Sequence, residues 1–378
     1  MGNSTEQPVA NLDAAQQGVP PGKAMIKSVA ISNFRCFRKA RVDGLRRINV
    51  LVGGSGSGKT TFLEALFMCA GMGADFFLRA QAWRGLAEPA PSQVRMDERS
   101  FRDMWKEMFF NFDESEEISI EFFLGAQSNR RLNVYYDSSQ EGRRVILTPT
   151  GERAPSIVVP LMFKGQSESG TPFQGPVAMT ADGSIPLPQF AEPYPLTFMP
   201  PAILVNSQHN ARRFSELSKK EQHHAVVDAV RELFPLVLDL SVEIQGGSNA
   251  IFASVRGLHE KLYIGSLSAG INKYLGILLA LAAQSGGTVA VDEVENGLYY
   301  KNLEEVWRSI GAFCRSRNTQ LFVTTHSLEC LRALLPAISE APEDFALLRA
   351  EREDGESRMK VFNGEHFEAA LEQNFEIR

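Results

Sequence analysis

Apolar positions along this chain form two kinds of run, and the two kinds alternate. INVLV (48–52), TVAV (288–291) and the start of QLFVTTHS (320–327) are short, nearly uninterrupted and rich in β-branched residues. Such runs predict strands buried on both faces, as in a parallel sheet. TFLEALFMCA (61–70), the almost wholly apolar stretch after SLSAG (266–270), and residues 303–316 carry helical spacing instead. Strands alternating with helices predict an α/β core with a mainly parallel sheet.

Elsewhere the period is two. MIKSVAISNF (25–34) alternates, and RINVLV (47–52) follows it, giving two or three strands. EEISIEFFLGA (116–126), RRLNVYYD (130–137) and RRVILTPT (143–150) predict an antiparallel set, and SVEIQ (241–245) and IFASV (251–255) two further strands. FFLRAQAW (76–83) and ERSFRDMWKEMFFNF (98–112) predict irregular helices. AILVNSQ (202–208) is expected to be a strand. The following helix would be opened by a capping box, Ser218 to Glu221, and carry Val226, Val230 and Leu233 on one face. His223 and His224 ride on that helix; adjacent residues diverge, so they are expected at the surface rather than as joint metal ligands. Residues 166–201 hold eight of the nineteen prolines, which predicts a long surface loop. The layout expected is a disordered tail over 1–24 and one domain over 25–378, with a helical and antiparallel insertion at about 72–201 that includes the proline-rich loop.

Composition narrows the classes. A hydrophobic share of 44% with 22% charged residues suits a globular core. The net charge of −6 gives no global attraction to nucleic acid, so any such binding must use a local patch. The basic run Arg35, Arg38, Lys39, Arg41, Arg46 and Arg47 is expected to be mostly a solvated hairpin edge, with one arginine turned toward a ligand. Cys36, Cys69, Cys314 and Cys330 are scattered, which suits a reducing cytoplasm and argues against structural zinc. No apolar run reaches the ~18 residues of a membrane span, the first residues lack the apolar core of a signal peptide, and Glu6 stands where an acylation signal needs Ser or Thr.

The chemistry centres on GGSGSGKT, residues 53–60, directly after INVLV and before a helical run. It fits G-x-x-x-x-G-K-[ST], the loop that wraps a nucleotide triphosphate with backbone N–H groups. Gly53, Gly54, Ser55, Gly56, Ser57 and Gly58 form the cradle, with Thr61 closing it. Lys59 supplies charge for the β- and γ-phosphates and Thr60 a hydroxyl ligand for Mg²⁺. A Gly/Ser linker would not set Lys-Thr between a strand and an apolar helix. Asp292 and Glu293 end the strand TVAVDE, where the metal needs a carboxylate and the attacking water a base.

The order GGSGSGKT, SLSAG, VAVDE, VENGL, TTHS resembles the ABC-type ATPase head shared by RecF, SMC-class repair ATPases and the OLD-like ATPases of prokaryotic defence systems. It is most similar to the single-domain OLD-like group, whose pattern includes NFR-x-F (Asn33, Phe34, Arg35, Phe37), DE-x-ENG (292–297), TTHS-x-E (324–329) and an ending of acid-Ile-Arg (376–378). The resemblance implies ATP and Mg²⁺ as ligands and an ATP-sandwiched dimer, in which Ser268 and Gly270 touch the γ-phosphate held by a second copy. It implies His326 as the switch histidine, Gln208 near the metal, and Arg35 reaching the phosphates. Three positions depart from the pattern: Ser55 replaces a common Asn, Ala269 the usual Gly or Asp, and Tyr299–Tyr300 a His-Pro. The 378 − 326 = 52 residues after His326 are too few for an appended nuclease domain, and no heptad run of coiled-coil length is present.

Two functions are expected to compete. One is an ATP-hydrolysing dimer that senses nucleic acid, possible DNA included, or controls an effector protein in defence against phage or in DNA maintenance. The other is a nucleotide-gated scaffold with negligible turnover, binding a protein through the proline-rich loop. Glu293 favours the first.

Overall fold

The computed structural model describes residues 25–84, 103–125, 128–137, 139, 142–147, 153–180, 192–201, 207–363 and 366. Its strands, in chain order, are β1 (Ser28–Phe34), β2 (Phe37–Asp43), β3 (Ile48–Val52), β4 (Ile118–Phe123), β5 (Asn129–Tyr136), β6 (Gly142–Leu147), β7 (Arg153–Gln166), β8 (Pro172–Thr180), β9 (Leu196–Met199), β10 (Val237–Gln245), β11 (Ser248–Val255), β12 (Leu262–Tyr263), β13 (Thr288–Val291), β14 (Gln320–Thr324), β15 (Phe345–Glu353) and β16 (Glu356–Asn363). The helices used below are α1 (Lys59–Gly71), α2 (Ala74–Trp83), α3 (Ser207–Lys219), α4 (His224–Leu233), α5 (Ala269–Ala283) and α6 (Leu303–Ser316).

The uninterrupted apolar runs become the buried sheet they predict. Its order is β16-β15-β3-β14-β13-β9, parallel throughout except for the antiparallel edge strand β16. Every residue of β3, β13 and β14 is buried. The two buried amide side chains in these strands have partners: Asn49 bonds both the N–H and the C=O of Arg46, and Gln320 bonds both backbone groups of Ile26. That removes the desolvation cost an unpaired amide would carry.

A second sheet, antiparallel, runs β2-β1-β4-β5-β7-β6, with β8 also on β7. Helix α1 lies in the core between the two sheets and is buried over nearly its whole circumference. Phe62, Leu63, Leu66 and Phe67 each contribute about 2 kcal/mol there by leaving water. Arg130 on β5 is fully buried and donates to the carbonyls of Cys69 and Ala70 at the end of α1, both at 2.8 Å, while pairing with Glu168 at 2.6 Å. A cation on the last carbonyls of a helix satisfies them and complements its dipole. The other face of the parallel sheet packs on α3, α4, α5 and α6, next to the three-stranded sheet β10-β11-β12.

Four expectations are corrected. The proline-rich region is no continuous loop: β7 ends in it, and β8 and β9 lie within it. Pro172 opens β8, and Pro176 pairs with Met162 at a register shift, positions where a missing N–H is tolerated. The strand placed over 202–208 is β9 instead, four residues at 196–199 paired with β13; residues 202–206 lie outside the described residues, and Ser207 already begins α3. Ser218 to Glu221 caps nothing. Ser218 sits in the last turn of α3, and Glu221 is left-handed (φ 54°) in the bend before α4. His223 precedes α4 and His224 starts it, so the two rings meet, centroids 4.1 Å apart, rather than diverging along a helix. The expected tail, 1–24, lies outside the described residues.

Candidate nucleotide site

The phosphate loop spans the turn between β3 and α1. Gly53 is held against the next strand: a Cβ there would fall 2.1 Å from the Ala350 carbonyl of β15, so no side chain fits. Gly54, Ser55 and Gly56 are exposed, while Ser57, Gly58 and Lys59 are buried, and Thr61 points into the core. The result is a rim of bare backbone over a buried helix start, the surface a phosphate approaches. Lys59 donates to the carbonyls of Gly53 at 2.7 Å and Gly54 at 2.9 Å. Burial lowers its pKa, against the opposing pull of Asp292, Glu293 and Glu295.

The acids arrive at the carboxyl end of β13. Asp292 accepts hydrogen bonds from Thr60 at 2.8 Å and from the Thr324 hydroxyl, so one carboxylate joins the start of α1 to the end of β14. Glu293 has a left-handed backbone (φ 49°), which costs a residue with a Cβ about 1 kcal/mol. Its N–H donates to Thr324 Oγ1 at 2.8 Å, and its carboxylate accepts from Asn296. Glu295 accepts the backbone N–H of His326 at 2.8 Å. His326 itself is exposed at the end of β14.

Ser268 caps α5 and accepts the Gly270 N–H at 3.2 Å, so the signature residues do open a helix. Lys59, Thr60, Asp292 and Glu293 are brought together; two other expected residues are not placed with them. Arg35 bonds Gln81 at 3.1 Å and lies 3.5 Å from Glu64, over the Phe77 ring, with burial lowering its pKa. Its guanidinium, just past the end of β1, is engaged by side chains of α1 and α2. Gln208 stands in the first turn of α3 and donates to Ser248 on β11 at 3.1 Å, so it does not end a strand beside Asp292.

Sequence reasoning missed two partners. Asn296 orients Glu293, a role the ENG motif allowed to be found. Lys273 on α5 is buried beside the acids, its Nζ 3.4 Å from the Asp292 carbonyl, and burial lowers its pKa against Asp292, Glu293 and Glu295. A lysine inside a mostly apolar helix was the signal.

The residues fit a nucleotide with magnesium. Thr60 and Asp292 present hard oxygen donors already 2.8 Å apart, beside a loop whose open backbone and buried Lys59 match a polyphosphate.

A family model described as "AAA domain, putative AbiEii toxin, Type IV TA system" matches residues 48–332. A protein of Helicobacter pylori (strain ATCC 700392 / 26695) named "ATP/GTP phosphatase" is 24% identical over 378 residues, covering 92% of this chain and 98% of its own. Structural maintenance of chromosomes protein 6 of Dictyostelium discoideum is 38% identical over 56 residues, 15% of this chain and 5% of its own length. Among solved structures, the SMC head domain from Thermotoga maritima matches with a TM-score of 0.42 and 15% identity, covering 89% of this chain and 99% of its own.

Proposed function

The chain belongs to the AAA-domain family that this model describes, and from that premise we propose that it binds ATP with magnesium and hydrolyses it between two copies of itself. It is an ATPase of the AAA/ABC-type class. The observation that carries the reading is the meeting of Lys59 and Thr60 with Asp292 and Glu293, two stretches more than 200 residues apart in the chain.

Each residue has one task. The loop N–H groups and Lys59 bind the β- and γ-phosphates, for which Lys59 exchanges its bonds to Gly53 and Gly54. Magnesium, when bound, neutralises charge on the phosphate oxygens; Thr60 and Asp292 would hold it. Glu293 orients a water and takes its proton as the water oxygen bonds to the γ-phosphorus. The bond from that phosphorus to the bridging oxygen breaks, leaving ADP and phosphate. His326 contacts the γ-phosphate from the end of β14.

The second copy contributes Ser268 and Gly270 at the start of α5, where the helix dipole favours phosphate charge. Support comes from the exposed Tyr299 and Tyr300, on the loop whose Gly297 backbone touches Gly270. Together they offer apolar surface beside the signature, suited to an interface. The motifs DE-x-ENG and TTHS-x-E favour the OLD-like subtype, and with it a cytoplasmic protein that senses nucleic acid or controls a partner effector in defence.

Steady-state phosphate release, with and without DNA, tests this. The wild type is expected to release phosphate with Mg²⁺, Lys59→Ala to fall to background, and Glu293→Gln to keep only a small residual rate. Wild-type release no faster than Glu293→Gln would favour a nucleotide-gated scaffold instead.

A further inference from the structure

Glu293 can orient water only if its unusual backbone is kept, and one peptide plane decides that. The C=O of Asp292 and the N–H of Glu293 belong to the same peptide unit. Its N–H donates to Thr324 Oγ1 at 2.8 Å, and its C=O accepts from Lys273 Nζ at 3.4 Å. The plane is therefore pinned at both ends, from β14 and from α5. Rotating it would change the φ of Glu293 and carry the carboxylate away, so the left-handed conformation persists because the surroundings over-determine it.

Packing does not require a lysine here. Lys273 is 1% exposed, and Ile271, Leu275 and Ile277 near it along α5 are buried and apolar. Placing an ammonium among them is costly unless it is paired. The bond to Asp292 O is the one hydrogen bond of this ammonium among the described residues. A methionine would fill the space without the desolvation cost.

The same helix touches the loop a second time. A Cβ on Gly270 would lie 2.4 Å from the Gly297 carbonyl, so the first turn of α5 rests directly on the loop's backbone. From these contacts we propose that Lys273 is a positioning residue for hydrolysis, tying α5 to the Asp292–Glu293 peptide and holding the Glu293 carboxylate toward the attacking water. The tie lies within one chain and links the helix that opens at Ser268 to the acid of the nearby nucleotide site. The inference rests on the reading of Glu293 above.

The test is a double-mutant cycle on steady-state ATP hydrolysis, with Lys273→Met, Glu293→Gln, the pair, and Lys273→Arg. Lys273→Met is expected to lower kcat by between about tenfold and a hundredfold, the cost of a small misplacement, with KM nearly unchanged. In the Glu293→Gln background the same change should cost nothing further, because both act on one step. Lys273→Arg, which keeps the charge and the donors, should recover most of the rate. Should Lys273→Met not fold, Lys273→Gln carries the same cycle. Wild-type kcat in Lys273→Met, a loss additive with Glu293→Gln, or a loss confined to KM would overturn the proposal. If Glu293→Gln itself turns over like the wild type, the reading of the site fails, whatever Lys273 does.

Discussion

Glu293 and Lys59 show what single residues decide here. Glu293→Gln keeps the shape and the bond from Asn296 but cannot accept a proton, so kcat is expected to fall at least about a hundredfold while ATP still binds. Phosphate release alongside nucleotide titration checks both halves. Lys59→Ala removes a charge-assisted contact and should weaken ATP binding by at least about tenfold. Ser268→Arg should leave ATP binding by one copy intact and block pairing; titration showing equal losses for the two variants would refute that geometry. The phosphate loop, Asp292 and Glu293 were legible because each lies in a short run whose spacing is its chemistry. Lys273, Asn296 and the engagement of Arg35 by Glu64 and Gln81 were less so, since those roles depend on contacts through space.

Among elements, α1 carries the site and is held at both ends. Its start is tied to β13 through Thr60 and Asp292, its end to the antiparallel sheet through Arg130. Arg130→Met would leave Glu168 and three backbone carbonyls, including that of Glu192, without this partner. The expected loss is about 3–5 kcal/mol, read as a lower urea midpoint. A midpoint within error of the wild type would show that the lobe does not brace α1. Strands β3, β13 and β14 were readable because continuous burial leaves a continuous apolar pattern, and helix α6 because one buried face leaves apolar residues at helical spacing. β8 and β9 were not, because their prolines sit at strand starts, flanks and a register shift, where composition alone suggests a loop. The bend between α3 and α4 was misread as a cap, since Ser218 and Glu221 have capping spacing but the chain turns left-handed there.

At the scale of the molecule, the α/β class and the pairing of a parallel core with an antiparallel sheet follow from where period two gives way to continuous runs. The output is expected to need a partner. The acidic group at 113–117 lies in a mostly exposed turn, and at 351–354 Glu351 and Glu353 end β15 paired with Lys360 and Arg358, so the purified protein should cut neither DNA nor RNA alone with ATP and Mg²⁺ or Mn²⁺. Cleavage that disappears when a residue of this chain is mutated would contradict that. In the proposed mechanism two copies share the nucleotide, and the mass of Glu293→Gln by light scattering shows whether they do. With ATP and Mg²⁺ the mass should double, and with ADP, or with Ser268→Arg added, it should return to that of one chain. A Glu293→Gln protein that binds ATP yet keeps the mass of one chain at every concentration would contradict it.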